Sequence, residues 1–166
     1  MEYTQINNIK TSRLGFGCMR FPLREGSDTA IDEDKALEMI DLAIKSGVTY
    51  FDTAYPYHGG KSEEFTGRAL AAYPRESVTI ATKLPVWKAT DLEGCKSIFE
   101  EQLKNLRTDH FDFYLIHALN KDRFRFVKEN GVYECLLEEK KRGRIRSLGF
   151  SFHDNCSVLE ENCLRT

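Results

Sequence analysis

The sequence predicts an α/β fold of about five successive βα units behind a short N-terminal β-hairpin. Three observations predict it. Short runs rich in β-branched and aromatic residues recur as LGFG from Leu14, VTYFD from Val48, VTIATK from Val78, FDFYLIH from Phe111 and IRSLGFS from Ile145. Their spacing, roughly 30–35 residues, is the size of one βα unit. The runs are nearly continuously apolar, as expected of parallel strands buried on both faces, and the segments between them place apolar residues at helical spacing.

Ahead of the first unit, Tyr3 to Ile6 and Ile9 to Arg13 flank Asn7-Asn8, a pair that tolerates positive φ and so predicts a hairpin turn. The first helix puts Leu37, Ile40, Ala43 and Ile44 on one face, with Asp32 as N-cap and Gly47 at the C-terminal cap. The second opens at Ser62, with Glu63 and Glu64 at the positive end of the helix dipole, and carries Phe65, Ala69 and Leu70. In the third, Thr90 and Glu93 read as a capping box for Leu92, Cys95, Ile98, Phe99, Leu103 and Leu106. The fourth carries Val132, Leu136 and Leu137 and ends in Lys140, Lys141 and Arg142 before Gly143. Asn120 to Gly131 is charged and irregular and reads as the longest loop. With no linker or low-complexity tract, residues 1–166 read as one domain.

Successive βα units build either an open doubly wound sheet or part of a (β/α)8 barrel. LGFGC contains Gly-x-Gly, but no third glycine follows in place and no helix opens there, so the dinucleotide fingerprint of the first alternative is missing.

Composition narrows the partners. Lys+Arg 24 against Asp+Glu 26 leaves a formal net charge of −2, which gives no reason to expect nucleic acid. No run approaches the roughly 18 apolar residues of a membrane span, and MEYTQINNIK lacks a basic patch followed by an apolar stretch. Cys18, Cys95, Cys135, Cys156 and Cys163 form no Cys-x-x-Cys pair, which argues against a disulfide framework and a zinc site. A cytoplasmic protein without a metal site is expected.

Polar residues are out of place inside parallel strands, yet Asp52, Lys83 and His117 stand at the C-terminal ends of three of them, with Tyr57 just beyond. That end is where barrel enzymes keep their chemistry. A phenol is a weak acid, with an ordinary pKa near 10. A Lys ammonium about 4 Å away stabilises the phenolate by roughly 4 kcal/mol at an effective dielectric near 20. Lys83 can supply that charge, Asp52 can hold Lys83, and His117 can hydrogen-bond a substrate oxygen opposite Tyr57. Each residue also has an ordinary alternative. Asp52 can cap the next turn, Lys83 reach solvent, His117 serve as a satisfied core histidine and Tyr57 pack in a loop. Their joint placement at one end favours proton donation to a carbonyl. By sequence neighbourhood alone Cys18 and Met19 read as packing residues, and Trp87 either lines the mouth or covers it.

Together, LGFGCMR, FDTAYPYHGGKSEEFTGRAL, ATKLP, FDFYLIH and GRIRSLGFS resemble, in order and spacing, the aldo-keto reductases. The resemblance runs from about residue 3 to 154 and implies a TIM barrel that reduces aldehydes or ketones with NADPH, or alternatively NADH. Carried over by position, it implies Tyr57 as general acid, Lys83 as its partner, Asp52 paired with Lys83, and His117 orienting the carbonyl. It also implies cofactor contacts at Gly17, Cys18, Met19, Asp52 and Ser151. After Ser151 this chain has Phe152-His153 where many members have Asn. GCMR with YHGGKSE is similar to the bacterial subgroup that often carries a C-terminal ferredoxin-like cysteine cluster. An iron–sulfur cluster is therefore implied only where a segment beyond Thr166 exists.

A complete barrel has eight strands and typically about 250 residues. Five strands predict an incomplete (β/α)8 barrel, truncated before its last units, with unpaired edges that favour self-association. The expected partner is a small-molecule carbonyl compound; the alternative function is that of a catalytically incomplete, assembly-dependent module.

Overall fold

The computed structural model describes residues 1–163. The chain enters through an antiparallel hairpin of β1 (Tyr3–Ile6) and β2 (Ile9–Ser12). Asn7 and Asn8 turn it at φ 49° and 65°, the left-handed pair that the dipeptide predicts. Ile9 packs with Ala81 and Phe113, and Asn7 Nδ2 donates to Ser147 Oγ at 2.8 Å. The hairpin thereby covers the N-terminal end of the main sheet.

That sheet contains β3 (Gly15–Gly17), β4 (Tyr50–Asp52), β5 (Thr79–Leu84), β6 (Phe111–Leu119) and β7 (Ile145–Phe152). All neighbours are parallel and the spatial order β3-β4-β5-β6-β7 is chain order. A doubly wound sheet reverses its order at a switch point, and this one does not, so the two alternatives left by the sequence resolve to an incomplete barrel. Among the described residues, β3 and β7 each have one strand neighbour.

The helices are α1 (Glu33–Lys45), α2 (Ser62–Leu70), α3 (Leu92–Asn105), α4 (Lys121–Glu129), α5 (Val132–Lys141) and α6 (Cys156–Cys163). Asp32 caps α1 by accepting from Lys35 N. On that helix Ala36 and Ile40 are buried and Ala43 and Ile44 pack against the core as expected, whereas Leu37 is exposed and Ala36 takes its place in the stripe. The cap of α3 is Asp91 rather than Thr90. Asp91 takes the extended N-cap backbone and its carboxylate accepts from Gly94 N at 2.8 Å.

The segment read as the longest loop contains α4. Asn120 caps it by accepting from Arg123 N at 3.0 Å, Asp122 pairs with Arg125 one turn on, and Val127 is buried with Phe124 against the core. The density of charge hid this short apolar stripe. Among the described residues no helix is long and apolar enough to cross a membrane.

Strand alternation divides the core. Phe51, Ile80, Leu84, Tyr114 and Ile116 are buried with Phe65, Ile98, Phe99 and Leu103 of the helices. Each such side chain contributes roughly 1.5–3 kcal/mol on burial. Tyr114 stacks on Phe111 with centroids 4.9 Å apart and meets Phe99 edge-on at 5.1 Å. Where α2 crosses the end of α3, Gly67 is required: a Cβ there would lie 2.2 Å from the Asn105 carbonyl oxygen. Asp112 ties the N-terminal ends of the strands together, accepting from Ile80 N at 2.9 Å and from Arg75 and Arg146, both at 2.7 Å.

Candidate active site

Residues paired side by side in a parallel sheet point the same way, and so do residues two apart on one strand. Gly17 pairs with Asp52, and Asp52 with Ala81, which is two residues before Lys83. Lys83 pairs with Leu115, and Leu115 with Gly149; His117 and Ser151 follow these two by one further step, across a register irregularity in β6. Gly17, Asp52, Lys83, His117 and Ser151 are thereby gathered at the C-terminal end of one face. Tyr57 enters from the turn after β4, where His58 and Gly59 adopt φ 53° and 62°. His58 Nε2 pins this turn by accepting from Phe21 N at 3.2 Å, and burial lowers its pKa, favouring the neutral acceptor.

Lys83 lies at the centre, only 6% exposed. Its Nζ donates to Asp52 Oδ1 at 2.6 Å, to the Thr53 carbonyl at 2.8 Å and to the Tyr57 hydroxyl at 3.2 Å. The ammonium thus meets one carboxylate, one carbonyl dipole and the phenol, which exhausts its three protons. The Thr53 carbonyl is the one ligand of this trio that sequence reasoning did not name, because a main-chain atom leaves no residue-type signal.

His117 completes the group from the other side. Its ring stands perpendicular to that of Tyr57 with centroids 6.1 Å apart, and 5.0 Å from Trp87. Burial, reinforced by the positive charges of Lys83 and Arg123, drives its pKa down to about 4. The imidazole is therefore neutral at physiological pH and can donate one N–H. Its Nδ1 is buried and has no hydrogen-bond partner among the described residues.

The residues implied in cofactor contact stand around this group. Space beside Gly17 is open, and Met19 is exposed. The Cys18 side chain is fully buried, and burial pushes its thiol up to about 12; its carbonyl accepts from Ser62 Oγ at 3.1 Å. Ser151 Oγ accepts from Ala118 N at 2.7 Å and keeps its own proton to donate.

Two features escaped sequence reasoning. Arg123 of α4 lies over the Trp87 ring, its guanidinium carbon 4.3 Å from the centroid, and Nη1 donates to the Ala118 carbonyl at 2.6 Å. Behind the sheet, Gln102 Nε2 donates to the Lys83 carbonyl at 3.0 Å and to Glu63 Oε1 at 2.5 Å, while Tyr114 donates to Gln102 Oε1 at 2.6 Å. Glu63, in the first turn of α2 as expected, is only 1% exposed, and burial raises its pKa to about 7. Among the described residues no three of His, Cys, Asp and Glu gather as a metal-holding group.

A phenol held beside an ammonium, facing a neutral imidazole across an open mouth, can donate a proton to an oxygen held between them. The sequence model of the Aldo/keto reductase family matches residues 13–163. Aldo-keto reductase YhdN of Bacillus subtilis is 35% identical over 175 aligned residues, which cover 99% of this chain and 50% of that protein. Probable aldo-keto reductase 1 of Glycine max is 32% identical, covering 91% of this chain and 46% of its own length. Among solved structures, the holo form of an aldo-keto reductase from Bacillus halodurans superposes with a TM-score of 0.79 at 28% identity, covering 100% of this chain and 55% of that one. The chain thus spans about half the length of these relatives. With the family pattern matched over nearly all of its length, the chain belongs to the aldo/keto reductase family.

Proposed function

We propose that this chain carries the proton-donating half of a nicotinamide-dependent reduction of aldehydes or ketones to alcohols, with NADPH as the cofactor and NADH as the alternative. The observation that carries the reading is the position of Lys83 Nζ, in hydrogen-bond reach of Asp52, Thr53 and Tyr57 at once. Tyr57 gives its hydroxyl proton to the carbonyl oxygen, and the phenolate left behind is stabilised by the adjacent ammonium. Asp52 and the Thr53 carbonyl keep Lys83 in place. His117, neutral and with its ring centroid 6.1 Å from that of Tyr57, donates to the same oxygen and sets its orientation.

The residues present fit a nicotinamide. Gly17 leaves open space beside Asp52, and the Ser151 hydroxyl retains a donor for a carboxamide oxygen. Gly17, Met19, Asp52, Ser151 and the Cys18 backbone would hold the ring, and the bound cofactor would supply the hydride. The test is NADPH consumption with a panel of aldehydes and ketones, comparing the chain with Tyr57→Phe. Turnover that requires Tyr57 is expected; equal turnover in the variant would defeat the reading.

A second reading is favoured by the two sheet edges. β3 and β7 each have one strand neighbour among the described residues, and Phe150 on β7 is 43% exposed. In this reading the chain is a module that works only in an assembly that covers those edges. Light scattering on the purified chain distinguishes them: a monodisperse monomer with Tyr57-dependent turnover removes the second reading.

A further inference from the structure

We propose that Arg123 and Trp87 form a subsite for a carboxylate, making the preferred substrate an anionic carbonyl compound. The inference rests on the carbonyl-reduction reading for the role of His117, and adds to it the charge class of the substrate. Trp87 lies with its ring 5.0 Å from His117, and the Arg123 guanidinium lies 4.3 Å from the centre of the same ring. One aromatic ring therefore separates a cation from the group that meets the carbonyl.

The guanidinium is held but not neutralised. One of its five N–H donors is used by the Ala118 carbonyl, which fixes its position. Among the described residues no carboxylate pairs with it, whereas Arg125 on the same helix pairs with Asp122, and Arg144 and Arg146 both have acidic partners. Lys83 and Arg123 both bring positive charge to His117, and of the two only Lys83 has a carboxylate partner among the described residues. The Arg123 guanidinium thus leaves an unpaired positive charge near a buried imidazole nitrogen that has no partner among the described residues. A planar guanidinium packed on an indole offers a carboxylate two parallel hydrogen bonds, and the ring shields them from water on one side.

Trp87 is the single tryptophan of the chain, so its fluorescence reports on this subsite alone. The purified chain is titrated with levulinate and with methyl levulinate, its neutral ester. Levulinate is expected to give a saturable change with a Kd roughly tenfold or more below that of the ester. Arg123→Gln should abolish that ratio and Arg123→Lys should keep part of it, both with the parent's thermal melt. Equal binding of acid and ester, or a ratio that survives Arg123→Gln, overturns the proposal; if that variant does not fold, the parent and Arg123→Lys decide. Loss of NADPH affinity in the Arg123 variants without loss of levulinate preference also overturns it, by assigning the guanidinium to a cofactor phosphate. NADPH consumption measured in parallel separates the two readings. Turnover of both compounds without charge preference sinks the subsite alone. Arg123-dependent preference for levulinate without turnover supports the subsite and counts against the reductase.

Discussion

The main-chain carbonyl of Lys83 accepts a hydrogen bond from Gln102 Nε2 at 3.0 Å, so the residue that holds Tyr57 is itself held from behind the sheet. Gln102 is oriented in turn by Glu63 and Tyr114, both almost fully buried. Inner and outer faces of β5 are therefore coupled through one backbone unit: Lys83 points to the mouth while its carbonyl is locked into a polar cluster among helices α2 and α3.

That cluster makes stability depend on pH. Glu63 has its folded pKa raised by burial to about 7, from an ordinary 4.5. A raised carboxyl pKa means that the folded state binds the proton more tightly. Its contribution is thus present below about pH 4.5 and is lost as pH rises through 7, on the order of 3 kcal/mol in all. Glu63→Gln keeps an oxygen for Thr82 and Gln102 to donate to and has no charge to bury. Urea unfolding should show the variant more stable than the parent at pH 8 and close to it at pH 5. A parent advantage at pH 8 would refute the argument.

Lys83→Met removes the ammonium while nearly filling its volume. Asp52, the Thr53 carbonyl and the Tyr57 hydroxyl each lose a donor. If Tyr57 is the acid, carbonyl turnover should fall by roughly two to four orders of magnitude, with cofactor affinity changed little. Turnover within a factor of a few of the parent would show that Lys83 has only a structural task.

Much of this site was legible because chain order and strand alternation do the placing. Asp52, Lys83 and His117 each close an apolar run, and in a sheet whose spatial order follows the chain, those run ends must meet at one rim. Arg123 was not legible, since in KDRFRFVKE the charges obscure the helical spacing of Phe124 and Val127, and its stacking partner Trp87 comes from another unit. The burial of Glu63 was not legible for a related reason. An acid in the first turn of a helix reads as a dipole partner, and only the approach of Thr82, Gln102 and Tyr114 from three elements makes that position a buried cluster. Asp91 displaced Thr90 as a cap by a choice of backbone conformation at one residue, which spacing alone does not specify.

His117 should remain neutral across the working range. Burial and the cations around it bring its pKa to about 4, below an ordinary 6.5. For a base with a lowered folded pKa, the stabilisation is present above about pH 6.5 and is lost as pH falls toward 4. NMR signals of the His117 ring should stay flat from pH 8 to about 5 and titrate near 4. A midpoint near 6.5 would mean a hydrated, cationic imidazole and a different role for it at the mouth.

Asp112 tests whether the end of the sheet opposite the site is held by charge or by packing. Its carboxylate is 1% exposed and accepts from Ile80 N, Arg75 and Arg146. Replacing it with Ala leaves a buried amide without an acceptor and two guanidinium groups facing each other across a small void. Arg75 still reaches the Val78 and His110 carbonyls, which moderates the loss. Asp112→Ala should therefore destabilise the fold by about 2–4 kcal/mol. Arg146, nearly half exposed, can return to water when its partner goes, so Arg146→Gln should cost less than about 1 kcal/mol. Denaturant melts of the two variants decide the matter. Equal and small losses would show that the hairpin and the apolar layer carry this end of the sheet, and that the buried carboxylate only sets the register of β5, β6 and β7.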